Sequence, residues 1–238
     1  MKAQNNPLYI ASRFCGFDGS GNGGYVCGRI AEYMDGLAEV TLKKPMPLET
    51  GMVVIREDNG NIKVEHDGKV YARASPVEFE LDVPAPPTLE EAQAASEHYA
   101  GKIAHPAPHC FVCGPARATG DGLCIYPVRI PGRDYTAAPW MPDESLLDES
   151  GIIRPEFIWA ALDCPGGLAA AGEPIKKVLL GRLAAKQLHS QLTLAPYVVI
   201  GWVIATEGRK HHTGSALFTT AGELCAYARA IWIGVGPR

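Results

Sequence analysis

The chain states one pattern twice, and that duplication constrains its fold more than any other feature of its 238 residues. Near residue 70 it reads Asp67-Gly68-Lys69-Val70-Tyr71-Ala72-Arg73-Ala74. Near residue 225 it reads Ala221-Gly222-Glu223-Leu224-Cys225-Ala226-Tyr227-Ala228-Arg229-Ala230. Each places a glycine turn before an alternating segment, so one strand ends, the chain reverses, and the next strand buries one face. Upstream, Glu39 to Leu48 runs into Met52 to Arg56, and Lys186 to Pro196 runs into Tyr197 to Ile204. Each is read as strand, proline break, strand, because proline cannot donate within a central ladder. A helix-like segment of small residues precedes each set, Gly23 to Met34 and Pro155 to Ala171. The expectation is an α+β chain of two fused copies, each a helix followed by four antiparallel strands.

The boundaries that follow are an N-terminal unit over 1–83, a connecting segment over 84–120 and a C-terminal unit over 121–238. Val83-Pro84-Ala85-Pro86-Pro87 reads as a stiff linker. Thr88 then caps a helix from Leu89 toward Tyr99, with acidic residues in its first turn. A looser stretch, roughly 104–150, contains two candidate strands, Gly122 to Ile130 and Tyr135 to Trp140.

Composition narrows the function classes. A hydrophobic share of 47% and a charged share of 20% are those of a folded globular chain, which excludes global disorder. A net charge of −4 argues against nucleic acid as a partner. No apolar run approaches the roughly 18–20 residues of a membrane span, so no membrane association is expected. The N-terminus lacks the apolar core of a signal peptide, and the expected location is the cytoplasm. Seven cysteines, an odd number at scattered positions, argue against a disulfide framework.

A helix wrapped by a curved antiparallel sheet, with a proline-broken strand after the helix, resembles the hotdog fold. In the second half, Phe157-Ile158-Trp159-Ala160-Ala161-Leu162-Asp163 looks like the central helix of hotdog acyl-CoA thioesterases of the phenylacetyl-CoA thioesterase type. Gly208 to Phe218 and Glu223 to Ile233 look like that family's last two strands. The resemblance covers most of 151–235 and, more faintly, 20–82, and implies a double hotdog with sheets joined into one. It further implies an acyl thioester as small-molecule partner, on coenzyme A or an acyl carrier protein, and no cofactor. One chain holds the pair that single hotdogs form by dimerising, so a monomer suffices, and a homodimer of double units is a further option.

Thioester hydrolysis needs donors where the carbonyl oxygen becomes negative and a carboxylate that attacks or activates water. The resemblance implies that backbone N–H groups at the central helix N-terminus supply the donors. An acid about two turns along a helix, often that of the opposite unit, supplies the carboxylate. The first half opens its helix with Gly19-Ser20-Gly21-Asn22-Gly23-Gly24-Tyr25, but its acid position falls at Ala31, with Glu32 one residue off. The second half has Asp163 at the acid position, while Pro155, which has no N–H, stands where the donor glycine is expected. The expectation is one composite site per chain: Gly23 and Gly24 as donors, Asp163 as the carboxylate, Asn22 and Tyr25 beside the substrate. Gln187, Ser190 and Gln191 are candidate polar neighbours of Asp163. Arg209 and Lys210 are candidates for the nucleotide phosphates. If Asp163 is buried, desolvation raises its pKa toward that of a general base. The alternatives are a glycine cluster that is only a turn, and an Asp163 that only caps the residues after it.

His105-Pro106-Ala107-Pro108-His109-Cys110-Phe111-Val112-Cys113-Gly114 has the shape of a zinc-knuckle turn. A second Cys-x-x-Cys is absent, so His105, His109, Cys110 and Cys113 are read as a folded loop with buried thiols, and no metal is expected. His211 and His212 point to opposite faces of a strand and cannot chelate as a pair. No Lys-Ser/Thr follows the Gly19–Gly24 cluster, which excludes a nucleotide P-loop. The leading function is thioester hydrolysis. The alternative is a non-catalytic acyl- or ligand-binding hotdog. A hydratase ranks last because the acid–base pattern it needs is missing.

Overall fold

In the computed structural model, residues 2–3, 7–17 and 19–236 are described. The strands are β1 (Lys2–Ala3), β2 (Ala38–Leu42), β3 (Val53–Arg56), β4 (Ile62–His66), β5 (Lys69–Pro76), β6 (Val128–Arg129), β7 (Tyr135–Trp140), β8 (Val178–Gln187), β9 (Tyr197–Glu207), β10 (Lys210–Thr219) and β11 (Leu224–Gly234). They form one 11-stranded sheet in the order β1-β3-β4-β5-β2-β8-β11-β10-β9-β7-β6. Every strand pairing in it is antiparallel.

Read outward from the centre, the order is β2-β5-β4-β3 on one side and β8-β11-β10-β9 on the other. The two copies therefore face each other across the β2–β8 seam. The Tyr-Ala-Arg-Ala segments occupy equivalent strands, β5 and β11, as the duplication requires. Asp67 and Gly68 take φ of 48° and 69°, the pair of positive angles that a tight two-residue hairpin demands. At the seam Glu39 lies opposite Ala184, and its carboxylate reaches Arg182 at 3.1 Å and Arg229 at 3.0 Å, linking the halves.

Helix α1 (Gly23–Ala31) belongs to the first copy. The second copy's helix is broken into α3 (Pro155–Ala161) and α4 (Cys164–Ala171), where one helix was expected. The cause is Pro165: it has no N–H to give the Ala161 carbonyl, and its ring collides with that carbonyl. The second departure is β8, expected from Lys186 onward and found at Val178–Gln187. Residues 188–195 form no strand; they pack as a loop whose Leu192 carbonyl takes the Ile153 N–H at 2.8 Å. Of the expected strand Gly122–Ile130, only Val128–Arg129 forms a strand.

The main core lies on the helix side of the sheet, where Val40, Leu183 and Val199 meet Val26, Ile30 and Phe157. The opposite face of the second copy's strands holds Ala184, Val198, Ile200 and Trp202, as the two-residue period of a strand dictates. That face is covered by Phe79 and by α2 (Leu89–Ser96). The connecting segment is thus a structural layer. Its later part crosses to the helix side and buries Cys110, Phe111, Val112 and Cys113 in the main core. Among the described residues no helix is long and apolar enough to cross a membrane.

Candidate active site

Helices α1 and α3 run antiparallel at glycine distance. A Cβ on Gly24 would lie 2.4 Å from Asp163 Cβ and 2.7 Å from the Trp159 carbonyl oxygen. One on Gly28 would lie 2.6 Å from Glu156 Cα. Glycine is required at both places because the backbones themselves meet. This contact brings the start of α1 against the break after α3, where Asp163 stands.

Asp163 is 2% exposed, and its side chain makes no capping bond to α4. Its Oδ2 instead accepts the Gly24 N–H at 2.9 Å and an Asn22 Nδ2–H at 3.1 Å. Its Oδ1 is buried and has no hydrogen-bond partner among the described residues. Burial pushes the carboxyl up to about 7; the Gly24 and Asn22 bonds pull the other way, and negative charge on the nearby Cys110 sulfur adds to the rise. Asn22 does two jobs: its Oδ1 caps α1 by accepting the Tyr25 N–H at 2.9 Å, while its amide donates to Asp163. The Pro-induced break also frees the Leu162 carbonyl, which takes the Ser215 hydroxyl at 2.5 Å.

These groups line a cavity of about 520 Å³. Asn22, Asp163, Cys110, Cys113 and Cys164 form its buried side. Met46, Leu168, Leu180 and Trp232 give it apolar walls, and the exposed lysines Lys43, Lys44, Lys176 and Lys177 complete its lining. An apolar cavity with a few convergent polar groups and a carboxyl of altered pKa is the general form of a small-molecule site. The sulfurs of Cys110, Cys113 and Cys164 lie within 4.8 Å of one another, the arrangement in this cavity that can hold a metal ion.

No family model matches the sequence, and no curated protein matches it. Solved structures do. A tesB protein of Mycobacterium avium subspecies paratuberculosis superposes with a TM-score of 0.59 at 11% identity, covering 99% of this chain and 91% of that one. The acyl-CoA thioesterase II TesB2 of Mycobacterium marinum superposes with a TM-score of 0.56 at 12% identity, covering 90% of each chain. Both superpositions extend over the two halves. The fold is a double hotdog.

Within the double hotdog, the residues singled out from sequence divide into two groups. Asn22, Gly23, Gly24 and Asp163 come together, with one departure from expectation. The Gly24 N–H is occupied by Asp163 itself, so no space remains between them for a carbonyl. Gly23 lines the cavity, and its N–H makes no hydrogen bond among the described residues. The others stand apart. Tyr25 is a core aromatic, stacked on Phe14 at 4.0 Å between ring centroids. Gln187 sits at the far end of β8, where its Nε2 donates to the His189 carbonyl at 2.7 Å. Residues 178–181, at the start of β8, line the cavity instead, so the misplaced strand explains the misplaced Gln187. Ser190 and Gln191 lie exposed in the loop that replaced the strand. Arg209 and Lys210 are exposed at the β9–β10 turn and do not line the cavity.

The lysines were missed, although the sequence carries a signal for them. Lys43-Lys44 follows β2 and Lys176-Lys177 precedes β8, and antiparallel pairing of Thr41 with Arg182 puts both pairs at one end of the seam. Cys164 was missed as well, because only the fold brings it to Cys110.

Proposed function

We propose that this chain hydrolyses an acyl thioester of coenzyme A or of an acyl carrier at a composite site between its two hotdog units. Asp163 acts as general base on a water, whose oxygen attacks the thioester carbonyl. The Gly23 N–H, at the positive end of α1, stabilises the oxyanion. As the C–S bond breaks, the proton held by Asp163 passes to the departing thiolate. Asn22 and the Gly24 N–H orient the carboxylate and leave Oδ1 for the water. The apolar walls suit an acyl group and the lysines suit phosphates. In this reading 1–83 and 121–238 are the two units, 84–120 lies between them, and the setting is cytoplasmic.

The observation that carries the reading is the Asp163 carboxylate itself: buried, without a cation among its described partners, with one oxygen unpartnered, on a residue that lines a cavity. Burying such a group costs several kcal/mol unless it is compensated. A residue kept only for packing has no reason to bear that cost. The fold shared with a tesB protein and with a protein named as the acyl-CoA thioesterase II TesB2 supports the same class. The alternative, a binding module without turnover, draws on the occupied Gly24 N–H, which leaves a single donor for the oxyanion.

A panel of acyl-CoA thioesters assayed by release of free thiol separates the two. The expected result is release by the wild type and a loss of about 10²–10⁴-fold in Asp163→Asn, the range for a removed general base. Substrate affinity should stay within a few-fold. Binding without release across the panel overturns the hydrolase and leaves the binding module.

A further inference from the structure

Three of the seven cysteines converge from two distant segments. Cys110 and Cys113 come from the connecting loop and Cys164 opens α4. The Cys110 and Cys164 sulfurs are 3.8 Å apart, and all three lie within 4.8 Å of one another. Tetrahedral thiolates at the usual zinc–sulfur distance of about 2.3 Å place their sulfurs about 3.8 Å apart.

The surroundings are built for thiolate sulfur. Asn22 Nδ2 donates to the Cys110 sulfur at 3.7 Å, and the Gly114 N–H closes the turn on the Cys110 carbonyl at 2.9 Å. The turn is tight enough to exclude any side chain at its end. A Cβ on Gly114 would lie 2.5 Å from the Cys110 nitrogen and 2.5 Å from the Pro108 oxygen. His105 completes the shell. Its Nδ1 accepts the Ala107 N–H at 3.0 Å, so in the neutral ring the proton sits on Nε2, which faces the Cys113 sulfur at 3.6 Å. Thiols serving only as small apolar fillers have no use for side-chain N–H groups aimed at their sulfurs from Asn22 and His105.

The geometry points to a metal site in which Cys110, Cys113 and Cys164 give three thiolates to one zinc-class divalent ion. His105 donates to the Cys113 sulfur as a positioning residue, and the fourth position belongs to the cavity that all three cysteines line. Soft sulfur ligands select zinc over magnesium or calcium. The ion holds the connecting loop against the break in the second copy's helix, one residue from Asp163. This inference does not rest on the hydrolase reading, and none of its tests uses turnover.

The reduced chain is titrated with cobalt(II) alone and then with zinc. One cobalt per chain is expected, with sulfur-to-cobalt charge-transfer bands in the near ultraviolet, tetrahedral d–d bands in the visible, and loss of both on adding zinc. Cys164→Ser should lose this stoichiometric binding. His105→Ala should keep it with affinity about 10–100-fold weaker, the usual cost of an outer-shell partner. Alkylation of the wild type, mapped by mass spectrometry with and without zinc, should show protection at Cys110, Cys113 and Cys164 together, lost on chelation. That measurement decides alone if Cys164→Ser does not fold. The site is overturned by any of four results: no equivalent of metal bound by reduced chain, binding unchanged in Cys164→Ser, binding abolished in His105→Ala, or a zinc-independent alkylation pattern. A Cys110–Cys164 disulfide in protein whose reduced form binds no metal assigns the cluster to thiol oxidation instead.

Discussion

The α1–α3 helix pair has two ends that are built alike and charged differently. At both, a glycine of α1 lets the helices touch: Gly24 against Asp163 at one end, Gly28 against Glu156 at the other. At the second end each carboxylate has a cation. Arg29 lies 3.2 Å from Glu32 and also donates to the Tyr25 hydroxyl at 3.3 Å, while Arg154 lies 3.7 Å from Glu156. At the first end Asp163 has only neutral donors and keeps one oxygen without a partner. Pro155 removes an N–H at the second end where Gly23 presents one at the first. A duplicated scaffold has thus given the carboxylates of one end cations and left that of the other without one, although burial outweighs Arg29 and pushes Glu32 up as well. An unmatched buried carboxylate is what proton transfer needs.

The largest expected effect tests that contrast directly. Asp163→Asn should cut thioester hydrolysis by about 10²–10⁴-fold, whereas Glu32→Gln at the other end should change kcat/KM less than about threefold. Steady-state kinetics on one acyl-CoA decides it. Equal losses in the two variants would mean that both ends do chemistry and that the asymmetry is only apparent.

Next in size is a packing effect that should be symmetric where the chemistry is not. Gly24→Ala and Gly28→Ala each force a methyl into backbone contact, and overpacking of this kind costs about 1–3 kcal/mol. For a chain of this length that lowers Tm by about 2–4 °C per kcal/mol, read by calorimetry. Only Gly24→Ala should lose activity beyond its loss of folded fraction, because the new methyl pushes on Asp163. Matching activity losses in the two variants would break the comparison.

Asn22 separates capping from catalysis at the first end. Ser at position 22 can still accept a helix N–H, so Asn22→Ser should keep most of the roughly 0.5–2 kcal/mol of a helix cap. It cannot reach Asp163 as the amide does, so kcat should fall about tenfold while Tm stays within a few degrees. Asn22→Ala should lose both. An Asn22→Ser variant with full activity removes the amide from the site.

The fold was legible in the sequence because the duplication is local chemistry repeated. Glycine turns before Tyr71 and Tyr227 act within a few residues, and they mark equivalent strands, whereas the proline break at Pro196 follows a loop and not the expected strand. That Asp163 meets the start of the first helix at Gly24 was legible for the same reason, as parts at matching positions of two helices. What escaped depended on register or on distant segments. The 188–195 stretch, rich in leucine, has the look of a strand, yet Val178–Gln187 is the strand. Gln187 was accordingly placed at the wrong end. Cys164 shows nothing of Cys110, 54 residues away in the chain, until Pro165 breaks the helix and turns that sulfur toward the loop. The occupation of the Gly24 N–H is likewise a property of two helices at contact distance, and no spacing along either one reveals it.

The smallest effect concerns the cavity's cations and sets the lysine pairs against the hairpin pair favoured from sequence. Lys43, Lys44, Lys176 and Lys177 line the cavity, whereas Arg209 and Lys210 do not. All six are exposed, so each can contribute no more than about 1 kcal/mol to holding a phosphate. The contribution should shrink as salt shortens the screening length to about 3 Å at 1 M. Lys176→Gln/Lys177→Gln should therefore raise KM several-fold for an acyl-CoA at low salt. It should leave KM unchanged for the matching pantetheine thioester, which lacks the nucleotide phosphates, and the difference should fade at high salt. Arg209→Gln/Lys210→Gln should leave both KM values alone. If the hairpin variant raises KM and the lysine variant does not, the nucleotide runs along the β9–β10 turn and the phosphates do not sit at the seam.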